Sequence, residues 1–408
     1  MPFLAVALAA ALIPPGIMWP GEPHSYDVVE YHLQIPREWW EAGQIIPLYH
    51  NVFSFFPFNV EMHYLLAMHL LGGPWAGMFL AQFMHLSFVV LTVIAIHGFA
   101  REIAPGAAAH LAGVAAATVP WLAQLSSIAY NEGGLLLFGT LAIGWAFRAV
   151  MEPSRRLGRF PVAGLLAGFA CGSKLTGVPE VLVAVAICCV IGIIATRKKL
   201  PALFSLSRVP AGEGRGGGWS GPHPNPPPAY RERGQAEQPV AVPLGYRLAG
   251  VAIFVAAGLL TFSPWLIRNQ IWAGNPVFPE APSLGQGHFS DAQVERWKAA
   301  HAPRSDQQSA AGRARAWRQE VWTSWQYGYV LLPLGLLAGA FAFRRGTPAM
   351  LIGMYLILSI VWICFTHLQS RFFILAIPIT ALMLAYIPRG KFLVGGIVVV
   401  LAGAAVLG

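Results

Sequence analysis

The sequence predicts an all-α polytopic membrane protein of about 11 transmembrane helices, with interfacial helices in the first outer loop. Three observations predict it. Hydrophobic residues fill 56% of the 408 positions and charged residues only 11%, against about 25% charged in soluble domains. Apolar runs long enough to cross a hydrocarbon core of about 30 Å as helix recur from one end of the chain to the other. The ionisable residues gather between those runs and largely avoid their interiors. A net charge of +9 is therefore a topology signal, not the footprint of a nucleic-acid partner.

The expected spans are 1–19, 75–98, 108–127, 133–150, 160–174, 178–196, 247–267, 326–343, 347–366, 372–388 and 391–408. The first run lacks the basic flank of a signal peptide and reads as a retained span interrupted by Pro14-Pro15. The short loops bearing Arg155, Arg156 and Arg159, and Arg344 and Arg345, fall on one side. The positive-inside rule then puts the loop after the first span on the outer face. The four cysteines, Cys171, Cys188, Cys189 and Cys364, lie within apolar runs and read as small buried groups.

That first outer loop, 20–74, is where chemistry concentrates, within an N-terminal membrane module 1–204. Val28 to Ala42 reads as a short helix on the membrane, with Tyr31, Trp39 and Trp40 in the interface belt and Glu38 and Glu41 toward water. Phe53, Phe55, Phe56 and Phe58 describe a folded loop dipping into the headgroup zone. A second interfacial helix runs from Val60 to Leu71. Asp27 and Glu30, three apart, share a face if the helix begins there. Beside low-dielectric lipid such a carboxylate suits a general base; Asp27 equally suits the N-cap of the helix. His24, Asp27, Glu30 and His32 together could hold a divalent metal.

Further along, Glu132 opens the fourth span from a very short outer turn, either joining this loop or capping its own helix. Lys174 closes the fifth span, either snorkelling or binding a lipid phosphate. Residues 205–240 are dominated by Gly, Pro and charge and read as a disordered, dispensable cytoplasmic insertion. A C-terminal module, 241–408, follows. Its second outer loop, 269–325, ends in a basic helix with Trp317, Trp322 and Trp325 that reads as surface-lying. Arg268 opens that loop, and Arg371 fills a short outer turn where an anionic partner is required.

These pieces resemble a known family. Tyr26-Asp27 with Glu30-Tyr31-His32, Gly168 through Lys174, Pro264-Trp265 with Arg268-Asn269 and Gly274-Asn275-Pro276, and Gln369-Ser370-Arg371-Phe372 with Pro378 are similar to motifs of GT-C superfamily membrane glycosyltransferases, near the protein O-mannosyltransferase and lipid A aminoarabinose transferase group. The resemblance covers nearly the whole chain except 205–240. It implies inverting transfer of a sugar from a polyprenyl-phosphate carrier to a lipid, glycan or protein acceptor, on the outer face of a bacterial inner membrane. Asp27 would be the general base, or would position the acceptor. Glu30 and Glu132 would join it as acids, with Tyr31 and His32 at the substrate and Lys174, Arg268 and Arg371 against the carrier phosphate. Many relatives have adjacent acids, whereas Val28 and Val29 intervene here, which weakens the case for Glu30. The resemblance implies no cofactor beyond the donor lipid and leaves a divalent metal open. Some relatives continue into a soluble outer domain, where this chain is expected to end in an apolar run. The competing class is a transporter or flippase of lipid-linked glycans, which normally carries its ionisable groups inside the spans. Sugar, acceptor and oligomeric state are not encoded in any motif.

Overall fold

A computed structural model describes residues 2–15, 17, 26–152, 156–195, 244–387, 390, 395, 396 and 399. The insertion 205–240, most of the last expected span and His24 lie outside the described residues. Helix α1 is Pro2–Ala10. A π-helical turn, Val28–His32, leads into α2, Gln34–Ala42, followed by α3, Asn59–Leu70, and α4, Pro74–Ile103. Then come α5 (Ala107–Ala117), α6 (Pro120–Ser126), α7 (Glu132–Met151) and α8 (Arg156–Ser173). A second π-helical turn, Val178–Val183, runs into α9 (Ala184–Ala195), and α10 is Leu244–Ala273. The second loop carries α11 (Asp291–Ala300) and α12 (Ala310–Trp317). The chain closes through α13 (Leu331–Phe341), α14 (Gly346–Phe365) and α15 (Ala376–Leu384). No strand occurs among the described residues.

Five helical stretches are long and apolar enough to cross a membrane: α4, α7, Val178–Ala195, α10 and α14. A sixth exists if α5 and α6 count as one span, bent by 58°. The bend has a local cause. Pro120 has no amide hydrogen to donate and pushes Val119 into extended backbone, φ −72 and ψ 125, so the run expected at 108–127 breaks there. Of the other expected spans, α1, α13 and α15 are short helices of 9, 11 and 9 residues, and α15 is buried along its whole length. The count of 11 is therefore not reached among the described residues.

Outward faces of the long helices are apolar and open: Ile187, Ile191 and Ile194 on α9, Leu259, Leu260 and Ile267 on α10, Leu356 and Ile360 on α14. Water would penalise such a belt at about 25 cal/mol per Å² of apolar surface, and lipid does not. The chain is a multi-pass integral membrane protein. Inside the bundle, helix approach is set by small residues. On α8, a Cβ at Gly164 would sit 2.2 Å from the Phe254 carbonyl oxygen, and one at Gly168 would sit 2.1 Å from that of Gly258. α8 thus packs backbone-to-backbone on α10, with α7 against its other side. Cys171, Cys188 and Cys189 are buried as expected, whereas Cys364 is exposed, because it sits on the open face at the end of α14 beside the exposed Phe365.

The first loop differs from expectation in where its aromatic side chains lie. Its aromatic run packs on protein instead of dipping toward headgroups. Phe55 and Phe58 are fully buried, and Phe55 meets Trp272, Phe278 and Phe289 edge-on at 5.8, 5.0 and 5.5 Å. Asn269 Nδ2 donates to the carbonyls of Phe55 (2.7 Å) and Phe278 (2.9 Å), tying the loop before α3 to the segment after α10. Trp39 is likewise not a belt residue. α2 turns it inward, where it is 1% exposed and its Nε1 donates to the Ile46 carbonyl at 2.8 Å.

Candidate active site

Glycines bring three helix ends together at one end of the bundle. A Cβ at Gly134, in the first turn of α7, would lie 2.4 Å from Val60 Cγ2 and 2.7 Å from Ser173 Oγ. One at Gly172 would lie 2.1 Å from Asn59 Nδ2. Without side chains there, α3, α7 and the end of α8 converge, and Glu132 meets Lys174. Lys174 continues the last turn of α8, its amide donating to the Ala170 carbonyl at 3.1 Å. Its ammonium pairs with the Glu132 carboxylate; the side chains are 12% and 1% exposed.

Arg371 arrives from the turn Ser370–Phe373, which is held on several sides. Trp121 Nε1 donates to Ser370 Oγ (3.1 Å), Ser370 Oγ to the Glu320 carbonyl (2.7 Å), and the Tyr327 hydroxyl to the Ser370 carbonyl (2.7 Å). The guanidinium pairs with the Asp27 carboxylate, both side chains nearly buried. A third pair, His32 Nδ1 to Glu61 Oε1 at 2.6 Å, is 1% exposed on both sides.

The pairs form one cluster around two aromatic rings. Tyr130 has Arg371 over its face at 5.4 Å and the His32 ring at 5.2 Å, while its carbonyl accepts from the Tyr64 hydroxyl. Phe372 has the Lys174 ammonium at 4.5 Å and Arg371 at 5.6 Å, so one ring stands against both cations. Glu132 lies within electrostatic reach of Arg371 and His32 as well as Lys174. Burial holds the Tyr31 and Tyr64 phenols well above their ordinary range, so both stay protonated. His367, edge-on to Phe372 at 4.7 Å, is pushed down to about 4 by burial and then by His301, Arg371 and Lys174.

The sequence-predicted residues divide accordingly. Asp27, His32, Glu132, Lys174 and Arg371 are brought together. Asp27 is itself helical (φ −62, ψ −31) and makes no capping bond, so the N-cap alternative does not hold. Lys174 pairs and does not snorkel. Arg371 has its anionic partner. Tyr31 is buried between His32 and Phe53, stacked on the latter at 4.6 Å. Glu30 does not join: residues 28–32 wind as a π-helical turn, so a three-residue spacing no longer superposes two side chains. Its carboxylate makes no ion pair among the described residues, and its carbonyl accepts from Asn51 Nδ2 at 2.8 Å. Arg268 also stands apart from the paired cluster. It donates to the Phe56 carbonyl (2.7 Å) and Asn269 Oδ1 (2.8 Å), between Trp265 and Trp272 at 4.7 and 4.8 Å.

Three members were not anticipated. Glu61 was overlooked, although it shares a helical stripe with Tyr64, Ala67 and Met68, the buried face of α3. Glu180, 2% exposed, lies within electrostatic reach of Lys174 and Glu132. Tyr130 carried no signal beyond its place beside Glu132. For a metal, the described residues contain no group of three or more His, Cys, Asp or Glu close enough to share an ion. Asp27 is committed to Arg371, and His24 lies outside the described residues.

No family model matches the chain, and no curated protein matches its sequence. Solved structures do match in architecture. ArnT from Cupriavidus metallidurans, crystallised with undecaprenyl phosphate, superposes with a TM-score of 0.59 at 15% identity, over 95% of this chain and 60% of ArnT. The Archaeoglobus fulgidus oligosaccharyltransferase, crystallised with Zn and sulfate, gives 0.50 at 12% identity, over 99% of this chain and 52% of that one. The chain thus spans about 60% and about half of the two proteins' lengths. Identity this low speaks for architecture alone: this chain has the fold of ArnT and of the archaeal oligosaccharyltransferase, the GT-C fold.

Proposed function

We propose that the chain is an inverting membrane glycosyltransferase that takes a sugar from a polyprenyl-phosphate donor and passes it to a hydroxyl or similar acceptor at the outer membrane face. The observation that carries this is the Asp27–Arg371 and Glu132–Lys174 arrangement around Phe372: a carboxylate beside two buried cations at one end of a lipid-facing bundle. A phosphate ester is the ligand such cations suit, since each is shielded from water and held in place. That ArnT has been crystallised with a polyprenyl phosphate supports the same ligand class.

The chemistry is a single displacement. The acceptor oxygen attacks the anomeric carbon as the bond from that carbon to the phosphate oxygen breaks, and the bonding pair leaves with the phosphate. The acceptor proton passes to Asp27. Once neutral, Asp27 no longer holds Arg371, which is then free to meet the second negative charge on the departing polyprenyl phosphate. Lys174 meets the first. His32 and Glu61 support the cluster from beneath, through the Tyr130 ring.

The test is transfer in proteoliposomes supplied with polyprenyl-phosphate sugars, with released carrier and glycosylated product followed by mass spectrometry. Asp27→Asn should lower turnover by about 10²–10⁴-fold while Glu30→Gln stays near wild type. Near-normal transfer by Asp27→Asn would remove the base from the proposal. Movement of donor lipid between leaflets without transfer would point to a flippase instead.

A further inference from the structure

The buried site is rich in acid. Asp27, Glu61, Glu132 and Glu180 outnumber the permanent cations Lys174, Arg371 and Arg268, the last of which reaches Glu61 only through space. A phosphodiester brings one more negative charge into this dry cluster, where Lys174 and Arg371 each already face a carboxylate. Uncompensated charge in such a setting is expensive, and a group that can neutralise itself does so.

Resting on the donor reading above, we propose that binding of the phosphodiester donor is coupled to uptake of one proton by Glu132. The phosphate oxygen displaces the Glu132 carboxylate from the Lys174 ammonium, and the released carboxylate takes a proton from solvent. The charges balance: before binding, Lys174 and Glu132 sum to zero, and afterwards Lys174 and the phosphodiester do. No covalent bond other than the new O–H changes.

Glu132 is singled out by its surroundings. Its side chain is 1% exposed, and Oε2 has no hydrogen-bond partner among the described residues, so an open oxygen already stands where a proton can settle. Groups facing Glu132 from the packed elements are Lys174 at the end of α8, Arg371 from the 370–373 turn, and His32 and Tyr31 from the first π-helical turn. Tyr64 faces it from α3, His85 from α4 and Glu180 from the second π-helical turn. Of the other buried acids, Glu180 feels Lys174 only through space and makes no direct ion pair among the described residues, and Glu61 keeps His32, so displacement falls on Glu132. Among the histidines, His85 Nε2 already accepts the Gly133 amide at 2.9 Å and His32 Nδ1 is bonded to Glu61.

The experiment is titration calorimetry of the full chain in nanodiscs with citronellyl-phosphoryl-hexose, in two buffers of different ionisation enthalpy. A phosphodiester does not titrate near neutral pH, so any proton exchanged belongs to the protein. Wild type should take up about one proton per ligand at pH 7, and affinity should tighten about tenfold for each pH unit lowered. Glu132→Gln should bind with no proton uptake and no pH slope. Wild-type binding without uptake, or uptake that survives Glu132→Gln, overturns the proposal. Should the variant not accumulate, the wild-type slope decides: a flat one overturns it. A wild type that binds no phosphodiester at all defeats the donor reading beneath it, which the transfer assay registers separately.

Discussion

Replacing Lys174 by methionine is the sharpest test of the site as built. The substitution keeps the length of the stem and removes the ammonium, leaving Glu132 1% exposed with no direct partner. Breaking a buried ion pair from one side costs about 3–5 kcal/mol, most of it the penalty of the abandoned charge. Arg371, within electrostatic reach, softens this without replacing the contact. The double variant Lys174→Met, Glu132→Gln removes the abandoned charge and should recover more than half the loss, a coupling of about 2–3 kcal/mol. Thermal unfolding in one detergent at fixed protein concentration compares the four proteins of the cycle. Transfer assayed alongside should fall in both Lys174 variants, because stability returns in the double while the phosphate contact does not. If the single variant is as stable as wild type, the pair is not the buried contact described. Recovery of transfer together with stability would show that Lys174 serves the fold alone.

Two further outcomes are expected. His367 is held neutral, its pKa pushed from 6.5 to about 4. The unfolded chain therefore binds this proton first, and the stability His367 contributes is present above pH 6.5 and lost as pH falls toward 4. His367→Gln should flatten that slope, worth on the order of 3 kcal/mol at pH 4, and unfolding measured at pH 7 and 4.5 with unchanged slope counts against it. Gly168→Ala should disrupt the α8–α10 contact, because the new methyl meets the Gly258 carbonyl oxygen at 2.1 Å. A cost of about 1–3 kcal/mol is expected, while Gly98→Ala, with nothing within 4 Å, should be neutral in the same unfolding assay.

The class of the protein was written in the sequence, because a bilayer imposes a length and a composition on whatever crosses it: 11% charged residues and repeated apolar runs admit few alternatives. The same selection made Asp27, Glu132, Lys174 and Arg371 conspicuous, since an ionisable group at a membrane boundary is costly unless it is used or paired. Their pairing was not legible. Asp27 and Arg371 lie 344 positions apart, and only the folded chain brings their elements to one place. Helix winding was decided there too: a π-helical turn after Asp27 separated Glu30 from it, and Pro120 split an apolar run that composition alone reads as one span. Glu61 shows the remaining limit. Its position on the buried stripe of α3 was readable, but that the stripe faces His32, and not lipid, depends on Gly134 and Gly172 letting α3 approach α7 and α8. Sequence fixes which groups are too expensive to leave alone; tertiary packing chooses their partners, because distance through space is set by contacts far apart along the chain.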